Sequence, residues 1–144
     1  MVTTLHLPLL LLSALVAFCA ASESSKLSST SQETLGGLED ADIHEEGVRQ
    51  AIDYSVGVYN QENNDLYYSG VRRVLRARQQ VVAGMKYYLD LEMGQTTCTK
   101  TQSDLLECPF DDSQDQQRTF CSFQVYSVPW LHQIFVTEYS CHNE

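Results

Sequence analysis

The chain has 144 residues, 43% of them hydrophobic, and 9 Lys and Arg against 19 Asp and Glu leave a formal net charge of −10. A surface that acidic is repelled by phosphate, which argues against nucleic acid and anionic membranes as partners. The mature length allows one domain with one modest core and leaves little room for a second.

In chain order, residues 1–22 come first. They carry no Lys, Arg, Asp or Glu, and the run "LPLLLLSALVAFCAA" has the length of a signal-peptide core. It is too short to span a bilayer comfortably, so cleavage after Ala21 or Ser22 and secretion are expected. Residues 23–35 then form a Ser-rich arm whose apolar residues are Leu27 and Leu35. So polar a segment buries too little surface to order itself. Gly36 and Gly37 follow, a sterically permissive pair where the arm meets the domain expected over residues 36–144.

Asp42 is placed as an N-cap with Glu45 three residues on, the spacing of a capping box. Behind it Val48, Ala51, Ile52, Val56 and Tyr59 recur at helical spacing, predicting one amphipathic helix from near Ile43 to Tyr59. Gly47 and Gly57 each oppose that helix by about 1 kcal/mol relative to alanine. The segment "NQENNDLYYSG" reads as a polar turn.

From there a strand pattern runs to Met93, and from Val81 onward every odd position is apolar: Val81, Ala83, Met85, Tyr87, Leu89, Leu91, Met93. Strands in small domains run about 5–10 residues, so the segment must fold back on itself. Gln80, Val82 and Gly84 interrupt the polar face and mark a hairpin tip. The basic run Arg72, Arg73, Arg76, Arg78 lies here, three of the four at outward parity, and reads as a solvated strand face.

Residues 98–118 are polar and turn-rich, and two more strands follow, "TFCSFQVYSV" and "QIFVTEYSC", joined through "PWLH". Pro129 cannot donate to a sheet ladder and suits a turn. The expected class is α+β, one long helix packed on a four- to five-stranded antiparallel sheet.

Once Cys19 leaves with the leader, Cys98, Cys108, Cys121 and Cys141 remain. An even count in a secreted chain argues for two disulfides; three pairings are open, and local bridges are the simplest. The spacing is not that of a zinc site, and paired sulfurs leave no nucleophile. His44 in "IHEEG" lacks a second His one turn on, and His132 and His142 have no Ser or free Cys to work with. Asp111 and Asp112 fall in a loop with no implied pocket. No catalytic set, metal site or cofactor is expected, and the chain is read as something other than an enzyme.

Two exposed tips and an arm are left. Trp130 sits beside a proline in a turn; such a ring ordinarily folds back on the core, whereas on an open tip it would be a binding anchor. Val82 has the same two readings. The stretches "QVVAG" at Gln80–Gly84, "PW" at Pro129 and Trp130, the Gly-Gly after the arm, "EEGVRQAIDYSVGVYN", "TTCTKTQ" and the cysteine order together resemble the type-2 cystatins. The likeness covers nearly the whole mature chain and favours the exposed reading of both residues.

The resemblance implies a secreted, reversible, tight-binding inhibitor of papain-like cysteine peptidases (cathepsins). In that family a helix is wrapped by an antiparallel sheet, and three elements form a wedge that occludes the enzyme's cleft. Carried over, Leu35 and Gly36 end the arm, Gln80, Val81, Val82, Ala83 and Gly84 make the first hairpin, and Pro129 and Trp130 the second. The family pairing joins Cys98 to Cys108 and Cys121 to Cys141. Thr34 stands where the arm of a similar member of the family has a larger apolar residue. Some members also bind legumain through a separate loop, for which Asn64 is the matching residue here. The family further implies a monomer with a minor domain-swapped dimer, opened at the hairpin where β-branched Val82 sits. A competing reading keeps the fold without inhibition, as in cathelicidin-like precursor domains and reproductive cystatins; those relatives lack the Gln80, Val82, Gly84, Pro129 and Trp130 set.

Overall fold

The structure is a computed structural model that describes residues 36–102, 104, 105, 107–113 and 118–144. The leader expected over residues 1–22 and the arm expected over residues 23–35, Thr34 and Leu35 included, lie outside them.

Strand β1 (Glu39–Asp40) leads to helix α1 (Glu46–Glu62), then β2 (Tyr67–Val82), β3 (Gly84–Thr99), β4 (Thr119–Val128), a single 3-10 turn (Pro129–Leu131) and β5 (Gln133–Asn143). All five strands form one antiparallel sheet in the order β1-β2-β3-β4-β5, so the chain meanders after its helix.

The helix has the predicted apolar face and about the predicted length, but lies three residues further along. Asp42 does not cap it. Its carboxylate accepts the His44 N–H at 2.8 Å and its carbonyl the Glu45 N–H at 3.1 Å, closing a turn before the helix. Glu45 is the N-cap, and the Arg49 N–H bonds its carbonyl at 3.0 Å. A short polar side chain beside a free backbone donor closes an Asx turn as readily as it caps a helix.

At the other end Asn60 extends the helix into the segment expected to turn. Its side-chain amide donates to the Ser69 carbonyl and its oxygen accepts the Ser69 N–H, both at 2.8 Å. The last turn is thereby pinned to β2. Lys100 reaches the Asn63 carbonyl at 3.0 Å, putting a cation at the negative end of the helix.

Val48, Ala51 and Val56 of α1 pack against Tyr87, Leu89, Leu91 and Met93 of β3 and Cys121, Phe123 and Val125 of β4. These odd positions of β3 and β4 are the inward face that the alternation predicts. Gly47 has a packing reason: a Cβ there would lie 2.5 Å from the Tyr87 hydroxyl. Burial raises the Tyr87 pKa above its ordinary value, with the nearby Glu45 charge adding to it. Nothing in the structure explains Gly57.

Strands β2 and β3 have 16 residues each, longer than expected, and β2 needs three register irregularities to stay on the sheet: Tyr67/Ser69, Val71/Arg73 and Val74/Arg76. Each bulge bends the strand and shifts its parity. The outward face therefore carries Arg73, Arg76 and Arg78, opposite Glu92, Asp90 and Tyr88, and not the three arginines of one parity. Arg72 lies over the Phe110 ring at 4.6 Å and pairs with Asp112, while Arg73 and Arg118 reach Glu92 at 3.5 and 3.6 Å.

The disulfides are Cys98–Cys108, which braces the turn-rich segment after β3, and Cys121–Cys141, which joins residues directly opposite in β4 and β5. Each stabilises a chain of this size by about 2–4 kcal/mol.

Candidate functional site

The antiparallel order brings three chain segments to one rim of the sheet. Gly36 enters beside the end of β2, since Glu39 pairs with Gln79. The β2–β3 hairpin turns at Ala83, with Val82 opposite Gly84. The β4–β5 hairpin turns next to it, because Met85 pairs with Ser127, two residues before Pro129. The predicted site residues Gly36, Gln80, Val81, Val82, Ala83, Gly84, Pro129 and Trp130 thus share one edge, in strand order.

The first hairpin is built from backbone. Only one residue separates its strands, and Gly84 takes φ +113°, a value that L side chains rarely adopt. A Cβ at Gly84 would lie 2.5 Å from the Ser127 carbonyl oxygen, so glycine is needed for space as well as for angle. Val82 has no positive φ. The discomfort expected of a β-branched residue in this turn is absent there; the unusual dihedral falls on the glycine. Val81 and Val82 are left exposed as an apolar tip.

Gly36 meets this hairpin in the same manner. Its φ is +54°, and a Cβ there would come within 2.9 Å of the Val81 carbonyl oxygen. The Gln80 side-chain amide donates to the Gly36 carbonyl at 3.3 Å. Gln80 therefore ties the start of the domain to the first hairpin, a reason for glutamine at a place where the alternation showed only a broken strand face.

The second hairpin is built from side chains. Pro129 opens the 3-10 turn, the His132 N–H bonds the Pro129 carbonyl at 3.1 Å, and His132 itself sits in the left-handed region with φ 50°. Trp130 is 66% exposed, so its ring does not fold back on the core. Leu131 is 56% exposed beside it, an addition to the rim that the sequence reading missed. Its only signal was an apolar residue in a turn next to a tryptophan.

Tyr126 was missed as well. It lies at an outward position of β4, and its hydroxyl donates to the carbonyl of Ala83 at the tip of the first hairpin. A large polar-tipped ring on the solvent side of a strand, three residues before Pro129, was the available sign.

The remaining candidates lie elsewhere. Asn64 is exposed in the turn between α1 and β2, at the end of the sheet away from the rim, where Asn63 accepts the Asp65 N–H at 3.0 Å. The loop carboxylates are held in local structure. Asp112 pairs with Arg72, and the Ser113 hydroxyl and N–H hold Asp111 below the usual carboxylate range. His44 belongs to the turn closed by Asp42. Among the described residues no group of His, Cys, Asp and Glu could hold a metal ion, and no helix is long and apolar enough to cross a membrane.

The family profile described as Cystatin domain matches residues 36–130. Cystatin-C of Oryctolagus cuniculus is 46% identical over 147 aligned residues, covering 99% of this chain and 99% of that protein. Cystatin-C of Homo sapiens is 47% identical over 141 residues, 96% of this chain and 97% of its own. Among solved structures, dimeric human cystatin F superposes with a TM-score of 0.70 at 33% identity, covering 88% of this chain and 97% of that one. The salivary cystatin of the soft tick Ornithodoros moubata gives 0.60 at 30% identity, covering 74% and 97%.

Proposed function

The chain belongs to the cystatin family and is an inhibitor of cysteine peptidases, and from that premise we propose that its three-part rim plugs the active-site cleft of papain-like enzymes. One observation carries the reading: Gly36, the Val82 tip and Trp130 lie side by side along one edge, with Val82 exposed and Trp130 66% exposed.

Val82, Trp130 and Leu131 supply apolar area to a cleft. Gly36 and Gly84 let the segments that carry the tips pack directly against Val81 and Ser127, which holds the three parts of the rim together. The hairpins need not offer a peptide bond to the attacking thiolate, so inhibition is by occlusion and is reversible. Tips held by a sheet lose little entropy on docking, which permits tight binding from a modest area. The arm over residues 23–35 works differently. Leu35 enters the main specificity subsite, and ordering the polar chain before it opposes that gain. With Thr34 in place of a larger apolar residue, the arm contributes less and selectivity rests on the hairpins.

The leader over residues 1–22 directs the chain out of the cell, and Asn64 at the far end serves as a separate contact for legumain. The working form is a monomer. In a minor dimer that exchanges α1 and β2 by opening at Ala83, the first hairpin is lost and papain inhibition with it; a purified dimer as potent as the monomer sinks this point.

Titration of active papain with the folded chain tests the whole. Stoichiometric loss of activity is expected, with a weaker constant for a chain cut before Gly36. Absence of inhibition by the folded chain would instead favour a non-inhibitory cystatin-fold domain. The same panel extended to legumain, with Asn64→Ala beside the native chain, decides the second contact.

A further inference from the structure

We infer that Tyr126 is a positioning residue that locks the two hairpins into one rigid body, so that a peptidase meets them as a unit. The inference rests on the rim being the peptidase-binding edge and adds how that edge is held in shape.

Three observations converge. Ladder pairing of β2 with β3 ends at Val82 opposite Gly84, which leaves the Ala83 carbonyl beyond the last rung. Tyr126, on the neighbouring strand β4, donates its hydroxyl to that carbonyl across 43 residues of sequence. Beside it, the buried Gly84 presses on the next residue of β4: a Cβ there would lie 2.5 Å from the Ser127 oxygen and 3.5 Å from the Tyr126 hydroxyl. The first tip is therefore gripped by two consecutive residues of β4, and those residues run directly into Pro129 and Trp130.

A one-residue tip with a free carbonyl would sample several orientations, and docking would have to select one of them. The Tyr126 hydroxyl makes that selection before the enzyme arrives. Such preorganisation lowers the entropy lost on binding and shows mainly in the dissociation rate.

The test is Tyr126→Phe, which removes one hydroxyl and keeps the ring. Association and dissociation rates with papain, the thermal midpoint and amide hydrogen exchange are measured beside the native chain and Trp130→Ala. Loss of one hydrogen bond predicts dissociation about three- to tenfold faster, with association changed less than about twofold. Exchange should quicken at Ala83, Gly84 and Met85 and stay unchanged in the centres of β3 and β4.

An unchanged dissociation rate in Tyr126→Phe, with Trp130→Ala still impaired, overturns the lock and leaves the rim reading intact. Faster exchange spread over all of β4 with a lower midpoint makes Tyr126 a general stabiliser and also overturns it. If Trp130→Ala itself leaves papain inhibition untouched, the rim reading falls and the lock falls with it.

Discussion

The two hairpins reach the same rim by opposite means. The first turns on a single residue, and its shape comes from the absence of side chains: Gly84 is buried under Ser127, and Gly36 lies against Val81. The second spends four residues on its turn and projects a bulky ring, with Trp130 66% exposed and His132 taking the left-handed dihedral that a glycine would usually hold. A backbone-built tip can tolerate no added atom, whereas a side-chain-built tip can tolerate much but depends on one group. The contrast teaches where each hairpin is vulnerable.

Gly84→Ala should strike hardest. The added methyl meets the Ser127 carbonyl at 2.5 Å and strains a φ of +113°, so the tip must move away from β4. Papain inhibition is expected to weaken about a hundredfold or more, in line with a strain of about 1–3 kcal/mol and a lost apolar contact. An inhibition constant within about threefold of native would show that the first hairpin is not built as described.

Trp130→Ala comes next. A central aromatic anchor is worth about 2 kcal/mol or more, so the inhibition constant should rise about thirtyfold while the thermal midpoint stays unchanged, since the ring supports no core. A fall in the midpoint as large as that of Gly84→Ala would erase the contrast between the tips.

Gln80→Ala removes the 3.3 Å bond to the Gly36 carbonyl. About threefold weaker inhibition is expected, and the loss should persist in a chain cut before Gly36, which keeps that carbonyl. The cut chain makes the comparison decisive.

The far end of the second hairpin is sensitive to pH. Tyr139 of β5 donates to Glu62 of α1, and that bond, with burial and the carboxylate charge adding to it, raises the Tyr139 pKa above its ordinary value. A tyrosine whose folded pKa is raised contributes stability that is fully present below its unfolded pKa, near 10, and lost as pH climbs through the folded value. Native chain and Tyr139→Phe should therefore differ in thermal midpoint at neutral pH and converge in strong alkali. A constant gap would show that the bond does not form.

The smallest effect is expected for His132→Gly. Glycine relieves the left-handed φ of 50° but adds freedom to the unfolded chain, and the two nearly cancel. Stability should change by less than about 0.5 kcal/mol and papain inhibition by less than twofold.

Much of this was legible in the residues. Periodicity of 3.6 over Val48, Ala51 and Val56 and of 2 over Tyr87, Leu89, Leu91 and Met93 placed the helix, the strands and the core between them. The broken alternation at Gln80, Val82 and Gly84 located the first hairpin. Asp42 misled because an Asx turn and a helix cap use the same atoms, and only the surrounding backbone decides which forms. The arginine parity failed because bulges leave little trace in a hydrophobic pattern.

The type of each main element, and with it the order of helix and long strands, was determined by the sequence alone, because the period of the apolar residues is set by neighbouring side chains. What the tertiary structure decided is how distant pieces meet: Tyr126 on Ala83, Gly84 under Ser127, Gln80 on Gly36, Asn60 on Ser69. Partners so far apart in the chain have no shared period, so their contact is written only in the sheet register that folding brings about.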